Sequence, residues 1–136
     1  MLAIDTSALV KRYVEEPGSD EVTALMDDDP VWCASELVRC EATILLGRLA
    51  TGPTQAEHLT RRFHADWAAF HVVPIDDRCL SRAAEIGADF GLRVVDAIHL
   101  AAATRLPSPV RYLTLDPRQV LAAVALDLEP VPTPTD

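Results

Sequence analysis

Asp5, Glu41, Asp96 and Asp116 are the side chains of this sequence best placed to do chemistry. Asp5 follows the apolar triplet 2–4, and Asp116 follows the run 110–115, so each sits where a short strand would end. Asp96 interrupts an apolar helical run, RVVDAIHLAAA, at residues 93–103. Taken singly, the three aspartates read as helix N-caps, accepting a bond from a backbone N–H that has no partner within the helix. Asp116, placed before Pro117, fits that reading best. Glu41 does not fit it. On a helix over 36–50, Leu37, Ile44 and Leu45 are expected to form the inward stripe, with Glu41 near its middle. A carboxylate in mid-stripe cannot cap, and burying it without a partner is expensive. Arg48 shares the face but lies two turns away, roughly 10 Å along the axis and too far for a direct pair.

If Glu41 faces the same place as the three aspartates, four like charges repel and raise one another's pKa. A helix N-terminus offsets only about 0.3–1 kcal/mol of this per anion. A divalent cation would resolve the conflict, and an oxygen-only donor set without His or Cys points to Mg²⁺ or Mn²⁺. Two other readings use the same residues. In a non-catalytic interaction module the aspartates are caps and Glu41 an acid at the rim. In a phosphoaspartyl transferase Asp5 is the nucleophile, but no second acid follows it at DxD spacing, and Lys11 is the only lysine.

Strands and helices must alternate to position these residues. Residues 2–4, 31–34, 71–75, 110–115 and 128–131 read as strands, the third and fifth at sheet edges. Helices are expected over 5–16, from Ser19, over 36–50, and from a capping box at Thr54–Glu57 with the stripe Leu59, Phe63, Trp67 and Phe70. Further helices follow Asp77 as cap, with Leu80, Ala83, Ala84, Ile86 and Phe90 inward and Gly91 closing, then over 93–103, then from Asp116-Pro117. This alternation predicts a parallel sheet covered on both faces, with its ligand site just beyond the carboxyl ends of the strands. One domain over 1–131 and a loose tail over 132–136 complete the layout.

Composition narrows the field. The chain has 136 residues, a net charge of −9 and 49% hydrophobic residues, which suits a globular domain and argues against a broad electrostatic RNA track. No apolar run approaches the roughly 20 residues of a membrane span. No signal-peptide pattern follows Met1, so a cytoplasmic protein without membrane contact is expected. Cys33, Cys40 and Cys79 lack zinc or disulfide spacing and read as buried, reduced thiols. Eleven arginines offer planar donors for phosphate; Arg12, Arg39, Arg61, Arg62 and Arg93 are candidates for substrate contact, and Trp32 and Trp67 for base stacking, with packing the better reading for Trp67.

The segments IDTSALVKRY, ASELVRCEA, RVVDAIHLAAA and YLTLD, in that order, resemble the signature blocks of the PIN-domain family, most closely its VapC-type toxins. The resemblance spans residues 2 to about 131. It implies a three-layer α/β fold with a mainly parallel five-stranded sheet in the order 3-2-1-4-5. It also implies a Mg²⁺- or Mn²⁺-dependent endoribonuclease, the toxin of a toxin–antitoxin pair, or else a related nuclease of RNA processing. By motif, Asp5, Glu41, Asp96 and Asp116 match catalytic, metal-holding positions, and Thr6 or Ser7 and Thr114 match hydroxyls that support them, with Thr6 and Ser7 reading equally well as helix-start residues. His99, one turn after Asp96, is expected to support the site by packing or hydrogen bonding. In such a mechanism the ion acidifies a water and neutralises charge developing on the scissile phosphate. Partners implied are RNA, an antitoxin whose basic side chain enters the acidic pocket, and a second copy in a homodimer. Where similar chains often carry Gly before the last strand, this one has Asp127, which can take the left-handed conformation at small cost.

Overall fold

Leu2 and Ile4 point to one face of the sheet and Ala3 to the other, and this alternation divides the core in two. A computed structural model describes residues 1–133. The elements run β1 (Leu2–Ile4), α1 (Thr6–Leu9) with a 3₁₀ turn (Val10–Arg12), α2 (Ser19–Asp28), β2 (Trp32–Ser35), α3 (Leu37–Leu49) and α4 (Pro53–Trp67). Then follow β3 (His71–Val73), α5 (Asp77–Phe90), α6 (Val94–Ala103), β4 (Arg111–Leu113), α7 (Pro117–Ala125) and β5 (Glu129–Val131). The strand order is β3-β2-β1-β4-β5 and every neighbouring pair is parallel. The expected α/β architecture and strand order are therefore those observed, with both edge strands as read.

One face packs Leu2, Ile4, Ala34 and Leu113 under α1–α4, with Phe63 at its centre. Phe63 is fully buried, meeting Tyr13 edge-on at 5.9 Å and Trp67 at 5.7 Å between ring centres. The other face packs Ala3, Cys33, Val73 and Tyr112 under α5, α6 and α7. Helix α6 is buried along its whole length from Asp96 to Ala103, and its run of alanines lets it lie close to the strands.

Several local expectations fail for identifiable reasons. The helix expected over 5–16 tightens after Leu9 and ends at Tyr13, whose hydroxyl donates to Asp66 at 2.7 Å on α4. Tertiary packing overrides the local pattern here. The buried stripe of α3 is Val38, Ala42 and Leu46, not Leu37, Ile44 and Leu45. Ile44 is exposed, and Glu41 lies at the flank of the buried stripe, because α1 and α4 pack against the neighbouring row. No capping box forms at Thr54: Pro53 already starts the helix, and Gln55 instead accepts from the Thr51 N–H at 2.6 Å. Asp76, not Asp77, caps α5, and Leu80 is exposed.

Asp127 takes the left-handed conformation (φ 61°) after α7, as expected. Cys33 and Cys79 are buried, and burial pushes both thiols up; Cys40, expected inside, is exposed on α3. Of the expected tail over 132–136, residues 134–136 lie outside the described residues. No helix among the described residues is long and apolar enough to cross a membrane.

Candidate active site

The chain builds outward from β1 through β2 and β3, then returns to the other side of β1 as β4. Connections leaving β1 and β4 diverge, and a crevice opens beyond their carboxyl ends. Asp5 is the first residue after β1, and Thr114 and Asp116 follow β4. Helix α6 brings Asp96 and His99, one turn apart, and α3 brings Glu41. All four acids line a single cavity of about 180 Å³, together with Thr6, Ser7, Arg93, His99 and Gln119. Thr114 stands behind Asp5 and does not line it.

Asp5 is 1% exposed and its oxygens are fully engaged. Oδ1 accepts from the Ala8 N–H at 2.8 Å and the Ser7 hydroxyl at 3.2 Å. Oδ2 accepts from the Thr114 hydroxyl at 2.6 Å and the Gln119 amide at 3.1 Å. Burial raises the Asp5 carboxyl above the usual range, and the Thr114 and Ala8 hydrogen bonds offset this only in part. Asp116 caps α7 as expected, Oδ1 accepting from the Arg118 N–H at 3.0 Å. Asp96 does not cap α6. It lies inside the first turn, where Oδ2 accepts from Arg93 Nε at 3.2 Å and Oδ1 from the Gln119 amide at 3.2 Å.

Glu41 meets His99 and Thr6. His99 Nε2 lies 2.9 Å from Glu41 Oε1, the Thr6 hydroxyl donates to the same oxygen, and His99 Nδ1 lies 2.9 Å from Ser35 Oγ. A carboxylate only accepts, so Nε2 donates to Glu41, while Nδ1 is held by the Ser35 hydroxyl. Burial alone would raise the Glu41 carboxyl, but the His99 and Thr6 hydrogen bonds and the nearby Arg93 charge together hold it below its ordinary value. Because the folded value is lowered, this contribution to stability is present above the unfolded value and lost as pH falls through the folded one. Wild type is expected to exceed Glu41→Gln by about 0.5 kcal/mol near pH 7, a small figure because the side chain is 35% exposed. Denaturant unfolding should show that gap closing below the ordinary 4.5; a gap that widened in acid would contradict it.

The four acids offer oxygen donors and meet two guanidinium groups, Arg93 at Asp96 and Arg118 with Nε 3.5 Å from Asp116 Oδ1, which leaves an excess of negative charge that suits a hard divalent cation. Glu41 Oε2 and Asp116 Oδ2 have no hydrogen-bond partner among the described residues. As arranged, no three acid, imidazole or thiol side chains among the described residues stand close enough to hold an ion. Gln119, Arg93 and His99 occupy the oxygens that would have to turn toward one.

Of the five arginines proposed for substrate contact, Arg93 lines the cavity, 73% exposed at its rim. Arg12 is tied to Asp27 and Asp66, both at 3.0 Å, and its guanidinium covers the Trp32 ring at 5.0 Å. Arg61 pairs with Glu57, and Arg62 lies over Tyr13. Trp67 packs against Phe63 and Phe70. Gln119 is the site residue that sequence reasoning missed. Its signal was present: with Ala122 and Ala123 it occupies the buried face of α7, where an uncompensated amide would be costly.

The PIN domain profile matches residues 2–127. The chain is 32% identical over 126 residues to Ribonuclease VapC46 of Mycobacterium tuberculosis, covering 92% of each. Its fold is like that in the crystal structure of FitAcB from Neisseria gonorrhoeae, with TM-score 0.74, 18% identity, and 96% of each chain covered. It is also like a chain of the toxin-antitoxin complex from Klebsiella pneumoniae, with TM-score 0.66, 18% identity, and 88% of each covered. With the profile spanning nearly the whole chain and the acids of all four matching segments lining one crevice, this protein belongs to the PIN-domain family.

Proposed function

We propose that the protein is a metal-dependent endoribonuclease and the toxin of a toxin–antitoxin pair. One observation carries this reading: Asp5, Glu41, Asp96 and Asp116, from four separate elements, line one small cavity with the Arg93 guanidinium at its rim. Likeness to a ribonuclease of the VapC type supports the choice of RNA as substrate. The four carboxylates would hold Mg²⁺ or Mn²⁺, which when bound supplies Lewis acidity and hydroxide near neutral pH. Thr6, Ser7 and Thr114 orient Asp5 and Glu41, and His99 fixes Glu41. The free guanidinium nitrogens of Arg93 are placed to meet a phosphate at the cavity mouth.

An antitoxin and a second copy of the chain are the proposed protein partners. Leu80 and Val94 flank an apolar groove between α5 and α6, and Leu121 and Val124 are exposed on α7, which offers surface for both.

The test has two arms. At a hundred times its dissociation constant, Mg²⁺ or Mn²⁺ should stabilise the wild type by roughly 2.7 kcal/mol in a thermal melt. Asp116→Asn, which keeps the cap, should respond far less. Mapping 5′ ends of cellular RNA after brief induction should show new ends for wild type and none for Asp116→Asn. Equal melting responses, with no new ends in either, would overturn the proposal.

A further inference from the structure

Gln119 is 2% exposed and its side chain makes three hydrogen bonds, two of them to different acids of the cavity. Its spacing from Asp116 is that of a capping box, in which the Gln would reach back to the Asp116 N–H. It does not do so. That N–H donates to Thr114 Oγ1 at 3.1 Å, which leaves the Gln119 amide to face the acids. Packing alone does not explain an amide here, since an apolar side chain of similar length would fill the space without two dipoles to satisfy.

The amide has one workable orientation. Its NH₂ gives one proton to Asp5 Oδ2 and the other to Asp96 Oδ1, while its carbonyl accepts from the Tyr112 hydroxyl at 2.6 Å. Turned over, the carbonyl would face two carboxylate oxygens with no proton between them. Tyr112 is fully buried on β4, so its hydroxyl locks the arrangement. Asp5 Oδ2 and Asp96 Oδ1 are thereby held no further apart than the sum of the two distances, 6.3 Å.

We propose that Gln119 is a positioning residue. Oriented by Tyr112, it sets the spacing and facing of Asp5 and Asp96 and so the affinity of the cavity for a hard divalent cation. This rests on reading the cavity as a metal-dependent nuclease site. Outer hydrogen bonds of this kind hold a ligand's lone pairs in place, and losing them commonly costs about 10- to 100-fold in affinity.

Mn²⁺ binding, read from the electron paramagnetic resonance of the free ion, tests the proposal on wild type, Gln119→Met and Tyr112→Phe. Gln119→Met keeps the length and removes both donors. Its Mn²⁺ affinity should fall by about 10- to 100-fold, and that of Tyr112→Phe by a smaller factor in the same direction. RNA cleavage by Gln119→Met should recover at high Mn²⁺ with an unchanged KM for RNA. A residue that only packed would lower the melting temperature and leave affinity alone. Folded Gln119→Met with wild-type affinity overturns the positioning role; if that variant does not fold, unchanged affinity in Tyr112→Phe does so. A wild type that bound no Mn²⁺ would instead remove the nuclease reading and this one together.

Discussion

Asp5→Asn is expected to abolish RNA cleavage, by at least about a hundredfold, with a change in stability of no more than about 1–3 kcal/mol. The two effects have separate causes. Cleavage falls because the cavity loses a charge at its most enclosed position. Stability is pulled both ways, because asparagine removes a charge that burial disfavours while four donors converge on Asp5: the Ala8 N–H, the hydroxyls of Ser7 and Thr114, and the Gln119 amide. Asparagine offers one oxygen and one NH₂. With its oxygen toward Ala8, the NH₂ meets the Gln119 NH₂. If Gln119 turned over to accept, its carbonyl would then face Asp96. Either way one buried group loses its partner. Single-turnover cleavage together with a denaturant midpoint separates the two effects; a variant that kept full cleavage would leave Asp5 a helix cap and nothing more.

Phe63→Ala is expected to cost about 3–5 kcal/mol, a large share of the roughly 5–15 kcal/mol that holds a domain of this size together. Phe63 is fully enclosed, and Tyr13 and Trp67 cannot both relax into the space because Tyr13 is tied to Asp66. Phe63 does not line the acidic cavity, so cleavage per folded molecule should be unchanged. Equilibrium unfolding in urea measures the loss. A loss under about 1 kcal/mol would mean that the cluster collapses to fill the gap.

Much of this was legible in the sequence because it depends on short-range chemistry. Strand–helix alternation fixed the parallel sheet, and the positions of Asp5 and Asp116 just after strands placed them at the crevice. Where the reading failed, the deciding contact came from a distant part of the chain. The face of α3 was misjudged by one row because Leu37, Ile44 and Leu45 are as apolar as Val38, Ala42 and Leu46, and only the packing of α1 and α4 chooses between them. Asp96 looked like a cap because it opens a helix, yet its partners are Arg93 and a glutamine on α7. Gln119 stands at capping-box spacing from Asp116, but the Thr114 hydroxyl takes that N–H, and only the fold turns the amide toward acids just after β1 and on α6.

The two margins of the sheet differ in what they permit. On β5 the Glu129 N–H and the Val131 carbonyl both bond toward β4, so the backbone of Pro130 points outward. Proline has no N–H, and the middle of that rim therefore lacks the donor an incoming strand would need. Growth of the sheet into a ribbon of stacked molecules, the hazard of any open parallel sheet, is blocked at that end by a single imino acid. At the opposite end Val72 presents its backbone outward on β3, and a charged side chain, Arg105, crosses to the Pro74 carbonyl just beyond it.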